Sequence, residues 1–399
     1  MIPFNKPYLH GRELVYIAQA VASGKISGDG LFTKRCQDLF RSRYGYGRTL
    51  LTTSCTDALE MSALLLDIRP GDEVILPSFT FVSTANAFAL RGAKLVFADS
   101  QSVNPNIDPG QIEALITPAT KAIVIVHYAG IACDMDAIMD IGRRHGLPIV
   151  EDAAHAIESF HDGRPLGGFG AMATFSFHET KNLTSGEGGM LVVNDAALEA
   201  RAEVIREKGT NRSAFFRGEI AKYAWIDVGS SFLPSEIVSA YLYAQLEVLD
   251  DIQKKRLALW NRYWDNLSAA LPDHGVQLPV IPRFATNNAH MFYLVCGSAQ
   301  ERSRLLEHLN NHEIMATFHY QSLHKSPFFI ARHDGRLLPN SDRYSDRLLR
   351  LPLFYELEIE LVDAISEAVA GFYSALGNRR RGSTREERVA AAVPVSRSA

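Results

Sequence analysis

Over the first 250 residues, short apolar runs closed by small or polar residues alternate with stretches of helical spacing. Thr49 to Thr52, Glu73 to Leu76, Lys94 to Ala98, Ala122 to Val126 and Leu147 to Val150 read as strands. Two further β-prone runs, Ala171 to Phe177 and Met190 to Asn194, flank a glycine-bounded loop. Helical spacing marks Glu13 to Ala22 and a helix from Thr33, as N-cap, to about Arg43. It recurs from Thr53 to Leu66, after Ile107-Asp108, and over Asp134 to His145 and Asp195 to Lys208. Pro234 to Leu249 and Asp250 to Leu271 complete the helical set. Strands alternating with helices at this interval predict an α/β fold, a mostly parallel sheet covered on both faces. Ligands of such sheets bind beyond the carboxyl ends of the strands. Thr53 to Thr56, Phe81, His127, Asp152 and Lys181 all fall at or just past strand ends, so the topology directs them toward one pocket.

Gly209 to Ser231 is polar, aromatic and irregular, and beyond about Pro272 the pattern changes to spaced short strands and helices. The expected organisation is a large domain over 1–249, a small α+β domain over 250–377, and a disordered tail over 378–399. The tail holds six arginines and two glutamates with no apolar period, which is why order is not expected there. The chain of 399 residues is 47% hydrophobic and 22% charged, ordinary for a globular protein. A formal net charge of -4 argues against nucleic acid or an acidic membrane surface as partner. No run of apolar residues is long enough to span a membrane, and the N-terminus lacks the apolar core of a signal peptide. Cys36, Cys55, Cys133 and Cys296 are far apart, which argues against a metal cluster or disulfide framework and fits a reducing cytoplasm.

Candidate chemistry centres on Phe175-Ser176-Phe177-His178-Glu179-Thr180-Lys181-Asn182 and the glycines that follow, Gly186-Glu187-Gly188-Gly189. A lone loop lysine is ordinarily a solvated surface group. One held between two buried strands can instead meet a fixed carbonyl as a nucleophile. Thr53-Ser54-Cys55-Thr56 opens a helix whose free N–H groups can cradle a phosphate, although plain capping by Ser54 or Thr56 reads equally well. Phe79 and Phe81 suit either ring stacking or core packing. A phosphorylated aldehyde with a ring nitrogen gives each feature a task. Lys181 forms the Schiff base, Asp152 keeps the ring nitrogen protonated, Cys55, Thr56 and Ser176 take the phosphate, and one phenylalanine covers the ring.

These stretches, with Glu151-Asp152-Ala153-Ala154-His155 and Pro77-Ser78-Phe79-Thr80-Phe81-Val82-Ser83-Thr84-Ala85-Asn86, resemble the DegT/DnrJ/EryC1/StrS family. Its members are pyridoxal-phosphate sugar aminotransferases of the aspartate aminotransferase-like fold (PLP fold type I), and the resemblance runs from about residue 2 to residue 375. It implies Lys181 as Schiff-base lysine and proton carrier, Asp152 at the pyridine nitrogen with His155 beside it, and Phe81 over the ring. Cys55, Thr56 and Ser176 then hold the phosphate of pyridoxal 5′-phosphate. Many relatives add an asparagine from a neighbouring subunit. Here the matching motif reads Gly229-Ser230-Ser231-Phe232-Leu233, with Ser231 as the substitute. A homodimer or a dimer of dimers is implied.

Phe177 to Asn182, Arg206 to Arg212 and Asp227 to Ser231 are similar to the subgroup that moves the amino group of L-glutamate to C4 of dTDP-4-keto-6-deoxyglucose, releasing 2-oxoglutarate. Lys208 and Arg212 are then candidates for the pyrophosphate, and His319 and Tyr320, with His290 and Tyr293, for the sugar side. Solvated-loop or structural roles stand beside each of these. Other possibilities are amination at C3, a UDP sugar, an amino-acid-specific enzyme or a non-catalytic member. A sugar dehydratase of the family would carry histidine in place of Lys181.

Overall fold

Consecutive apolar residues in the strands point alternately to two separate cores, which is why the strands lack a polar face. In the computed structural model, residues 1–272 and 274–391 are described. Leu50, Val74, Leu76, Val124 and Leu191 pack into one core, and their neighbours Leu51, Ile75, Ile123, Ile125 and Val192 into the other. The strands are β1 (Arg48–Thr52), β2 (Glu73–Pro77), β3 (Lys94–Ala98), β4 (Thr120–Val126) and β5 (Ile149–Asp152). A two-stranded hairpin, β6 (Phe160–His161) and β7 (Arg164–Pro165), precedes β8 (Met172–Ser176) and β9 (Gly189–Val193). The large sheet has seven strands in the order β1-β9-β8-β5-β4-β2-β3. Its contacts from β3 through β8 are parallel, while β9 runs antiparallel to both β8 and β1. The lysine loop therefore joins two adjacent antiparallel strands and is pinned at both ends.

Helix starts follow their caps where an Asp is present. Asp134 accepts from the Ala137 N–H at 3.1 Å, and Asp195 from the Ala197 N–H at 3.0 Å. Thr33 is a correction. The helix spans Leu31–Tyr44, so Thr33 lies inside its first turn. Its open N–H groups are taken by a distant side chain instead. Glu236 accepts from Gly30 at 3.0 Å, Phe32 at 2.7 Å and Thr33 at 3.1 Å.

A second sheet, β10 (Phe292–Val295), β11 (Thr317–Phe318) and β12 (Leu348–Leu351), is antiparallel with β12 in the middle. Helix Leu249–Ala270 ties the two parts together. Leu249 and Ile252 belong to a core of the large sheet, and Leu259, Tyr263 and Leu267 to that of the small one. The first residues also side with the small sheet, although the sequence boundary placed them in the large domain. Ile2 bridges to Ile314, with its N–H on the Glu313 carbonyl at 2.7 Å, and its side chain packs against the third core. The stretch expected to be a tail is helical as far as Ala391, in helix Ile359–Ala391. Its arginines, glutamates and alanines are strong helix formers without an apolar stripe. Residues 392–399 of that stretch lie outside the described residues. Among the described residues no helix is long and apolar enough to cross a membrane.

Candidate active site

Beyond the carboxyl ends of the parallel strands, where the two sheets face one another, lies a cleft of about 1000 Å³. The loop between β8 and β9 supplies its lysine. The Phe177 N–H donates to the Gly188 carbonyl at 2.8 Å, Glu179 to Gly186 at 2.9 Å, and Ser185 back to Phe177 at 2.8 Å. Asn182 anchors the loop to the small part of the molecule. Its Nδ2 donates to the Asn288 carbonyl at 2.9 Å, and its Oδ1 lies 2.9 Å from His290 Nδ1. Lys181 lines the cleft, and no described residue accepts a hydrogen bond from its Nζ. Burial pulls its ammonium down to about 8; Cys55 and Asp152 oppose the shift and Arg350 adds to it.

Asp152, the last residue of β5, is buried and opens on the same cleft. Thr84 Oγ1 donates to its Oδ2 at 2.7 Å, and the Ala154 N–H to its Oδ1 at 3.2 Å. Burial pushes its carboxyl above the usual range, while Thr84, the Ala154 N–H and Lys181 hold it back. A cation placed against it would favour the carboxylate further.

At another part of the cleft, Ser54 caps helix Cys55–Leu65 by accepting from the Asp57 N–H at 3.0 Å. The N–H groups of Cys55 and Thr56 have no acceptor among the described residues. They stand at the positive end of the helix, next to the Ser176 hydroxyl on the cleft wall. Gly189 makes this approach possible. It pairs with Thr52 and Ser176, and a Cβ there would overlap the Ser54 carbonyl carbon and the Cys55 nitrogen.

The remaining wall is aromatic. Phe81 is 54% exposed and lines the cleft, whereas Phe79 is buried in a core. His155 stacks on His290 at 4.3 Å and lies 3.3 Å from the Tyr320 hydroxyl. His319 stacks on Tyr320 and pairs with the Tyr128 hydroxyl at 2.7 Å. Burial holds all three histidines well below the usual imidazole range, so this wall is polar but uncharged at neutral pH. Tyr320 sits at a φ of 33°, a conformation that non-glycine residues seldom adopt.

Cys55, Thr56, Phe81, Asp152, His155, Ser176, Lys181, His319 and Tyr320 thus share one cleft. Other expectations do not meet there. Tyr293, named with His290 for the sugar side, is fully buried in a core with Phe79 and Tyr128. His127 is fully buried against Glu151, 3.1 Å away, and helps a carboxylate that organises the turn at Gly167 to Gly170. Lys208, Arg212 and Ser231 sit outside the cleft of their own chain. Lys208 and Ser231 are exposed on a loop that folds back on itself through the Glu207–Ser231 bridge, and the Arg212 guanidinium lies over the Phe216 ring at 5.0 Å. Thr84 and Arg350 join the cleft without having been anticipated. Thr84 stands three residues past Phe81, one helical turn along, a spacing that could have signalled it. The only mark of Arg350 was a charge inside an apolar strand.

The cleft fits a flat, phosphorylated aldehyde with a basic ring nitrogen: unclaimed N–H groups for an anion, a fixed carboxylate for a cationic nitrogen, and a partly neutral amine for the aldehyde. A family model described as "DegT/DnrJ/EryC1/StrS aminotransferase family" matches residues 7–370. The structure is similar to that of the aminotransferase TlmJ from Streptoalloteichus hindustanus, at 31% identity and a TM-score of 0.86, over 94% of this chain and 100% of that one. It is also similar to DesV from S. venezuelae, at 30% identity and a TM-score of 0.84, over 93% and 98%. The Streptococcus pneumoniae protein Spr1654, described as a candidate sugar aminotransferase and solved in PLP form, shares the fold at 23% identity and a TM-score of 0.84, over 94% and 99%.

Proposed function

The chain belongs to the DegT/DnrJ/EryC1/StrS aminotransferase family, and on that premise we propose that it moves the amino group of L-glutamate to C4 of dTDP-4-keto-6-deoxyglucose, giving dTDP-4-amino-4,6-dideoxygalactose. Pyridoxal 5′-phosphate is the cofactor of this family. The observation that carries the reading is the pairing, in one cleft, of an amine with a depressed pKa and a carboxylate locked by Thr84. In this reading Lys181 tethers the aldehyde, Asp152 meets the ring nitrogen, Cys55, Thr56 and Ser176 hold the phosphate, and Phe81 covers the ring. When bound, the cofactor supplies a protonated heterocycle that stabilises the electron pair left at carbon when a proton departs. Lys181 Nζ, whose lowered pKa of about 8 leaves a fraction of neutral amine at neutral pH, takes that proton from the α-carbon of glutamate. His155 stands beside Asp152 on the cofactor, and His319 and Tyr320, uncharged, orient the sugar through hydrogen bonds.

Lys208, Arg212 and Ser231 act in this reading across a homodimer interface, on the cleft of a neighbouring subunit. The segment that carries them supports it with an unusually apolar surface: Trp225 is 80% exposed and Phe216 65%. The dTDP sugar and the C4 position rest on the subgroup likeness of Phe177 to Asn182, Arg206 to Arg212 and Asp227 to Ser231, and a cytoplasmic location belongs to the same reading. Incubation with L-glutamate and a panel of dTDP- and UDP-linked 3-keto and 4-keto sugars is expected to yield a C4 amino sugar on dTDP. A C3 amine, or a product only on UDP, identified by mass spectrometry and NMR, would overturn the assignment.

The depressed pKa has its own consequence. A lysine captures an aldehyde only as the neutral amine. Capture of pyridoxal 5′-phosphate by the cofactor-free protein should therefore accelerate about tenfold per pH unit below the Lys181 pKa. It should level off above about 8. Stopped-flow absorbance would follow the rate. A rise continuing unbroken to the ordinary lysine range would show that the amine is not perturbed.

A further inference from the structure

Arg350 is the one guanidinium among the described residues that line the cleft. It projects from β12, the middle strand of the small sheet, where it is paired with Tyr293 on one side and Thr317 on the other. The strand fixes its backbone, and two contacts orient its head. Nη2 donates to the Phe318 carbonyl at 3.1 Å, and the guanidinium lies over the Phe4 ring at 4.7 Å. Nε is buried and has no acceptor among the described residues.

Among the described residues no carboxylate pairs with this charge. The groups that favour its charged form are the phenol hydroxyls of Tyr128 and Tyr320, while burial disfavours it. Arg350 as a whole is half-buried, but its Nε is enclosed, and an enclosed polar donor is ordinarily matched. Two others in this molecule show the difference. Arg206 pairs with Asp29, and Arg256 spends its donors on the Ala289 and His290 carbonyls at 3.1 and 2.7 Å. Arg206 also leaves its Nε without an acceptor, but it is ion-paired; of the three, Arg350 alone lines the cleft, and it does so without a carboxylate partner among the described residues. Its field reaches Lys181, His155 and His319, so it belongs electrostatically to the reacting centre.

We propose that Arg350 binds a carboxylate of a dicarboxylic amino donor. The proposal rests on the aminotransferase reading, which requires such a donor to enter and its keto acid to leave. Glutamate brings two carboxylates into a cleft whose only cations among the lining residues are Lys181 and Arg350. Lys181 is committed to the aldehyde, and the buried histidines His155, His290 and His319 are held in their neutral form. A planar guanidinium matches a carboxylate in a fork, which a point charge does not.

The test uses the cofactor-loaded, full-length protein and an unreactive probe, glutarate, with binding measured by calorimetry. Arg350→Gln should weaken glutarate about 10- to 100-fold, with Arg350→Lys intermediate. Retention of the bound-cofactor absorbance in both variants reports that the cleft is intact. dTDP, titrated in parallel, should lose less affinity than glutarate. If Arg350→Gln binds glutarate as wild type does, or loses dTDP instead, the guanidinium does not serve the donor and the proposal falls while the aminotransferase reading stands. If wild type binds no glutarate and its cofactor absorbance does not respond to glutamate, the proposal and the glutamate-donor reading fall together.

Discussion

Alanine in place of Lys181 is expected to lower transamination on the order of 10⁴-fold or more, the combined loss of a general base and a covalent tether. The change should spare the fold. Lys181 holds the loop through its backbone N–H on the His178 carbonyl at 2.9 Å, and no described residue depends on its Nζ. A second effect runs in the same direction. Lys181 is one of the groups that oppose the raised pKa of Asp152, so its removal lets that carboxyl drift further toward the neutral form. The measurement is turnover of L-glutamate, together with borohydride reduction and peptide mapping of the wild type to locate the tethered lysine. Near-wild-type turnover in the variant, or an adduct on another residue, would remove Lys181 from the chemistry.

Asp152→Asn is expected to lower turnover about 10²- to 10³-fold, the range seen when one preorganised electrostatic partner of a developing charge is lost. The amide has the size of the carboxyl and can keep both existing contacts, one oxygen for the Ala154 N–H and one polar atom for Thr84 Oγ1. What it cannot keep is the negative charge that holds a ring nitrogen protonated. The absorbance of the bound cofactor should shift while thermal stability changes little. A rate within a few-fold of wild type would mean that Asp152 does not face that nitrogen.

The alternation of strands and helices made the large sheet legible, because parallel strands buried on both faces leave long apolar runs. Strand ends then pointed to Asp152 and Lys181 without any coordinates. Other features were hidden for physical reasons. Glu236 caps the helix Leu31–Tyr44 from some two hundred residues away, and local spacing carries no trace of such a partner. His127 stands at a strand end like Asp152, yet its side chain turns inward to Glu151. A strand terminus tells where a residue sits and not which way it faces. Arg350 was hidden in a four-residue strand, where β-pairing decides what reaches the cleft. Lys208, Arg212 and Ser231 were named from motif likeness, and a single chain does not bring them to its own cleft.

The amino-terminal residues, partly exposed, lie along the rim of the cleft: Phe4 and Asn5 line it. Ile2 is stitched to the strand edge at Ile314, Phe4 lies under Arg350, and Asn5 Nδ2 donates to the Glu179 carbonyl of the lysine loop at 3.1 Å. A purification handle fused to that end would lie close to the lysine loop and to Arg350. Preparations intended for kinetic work are better labelled at the opposite terminus.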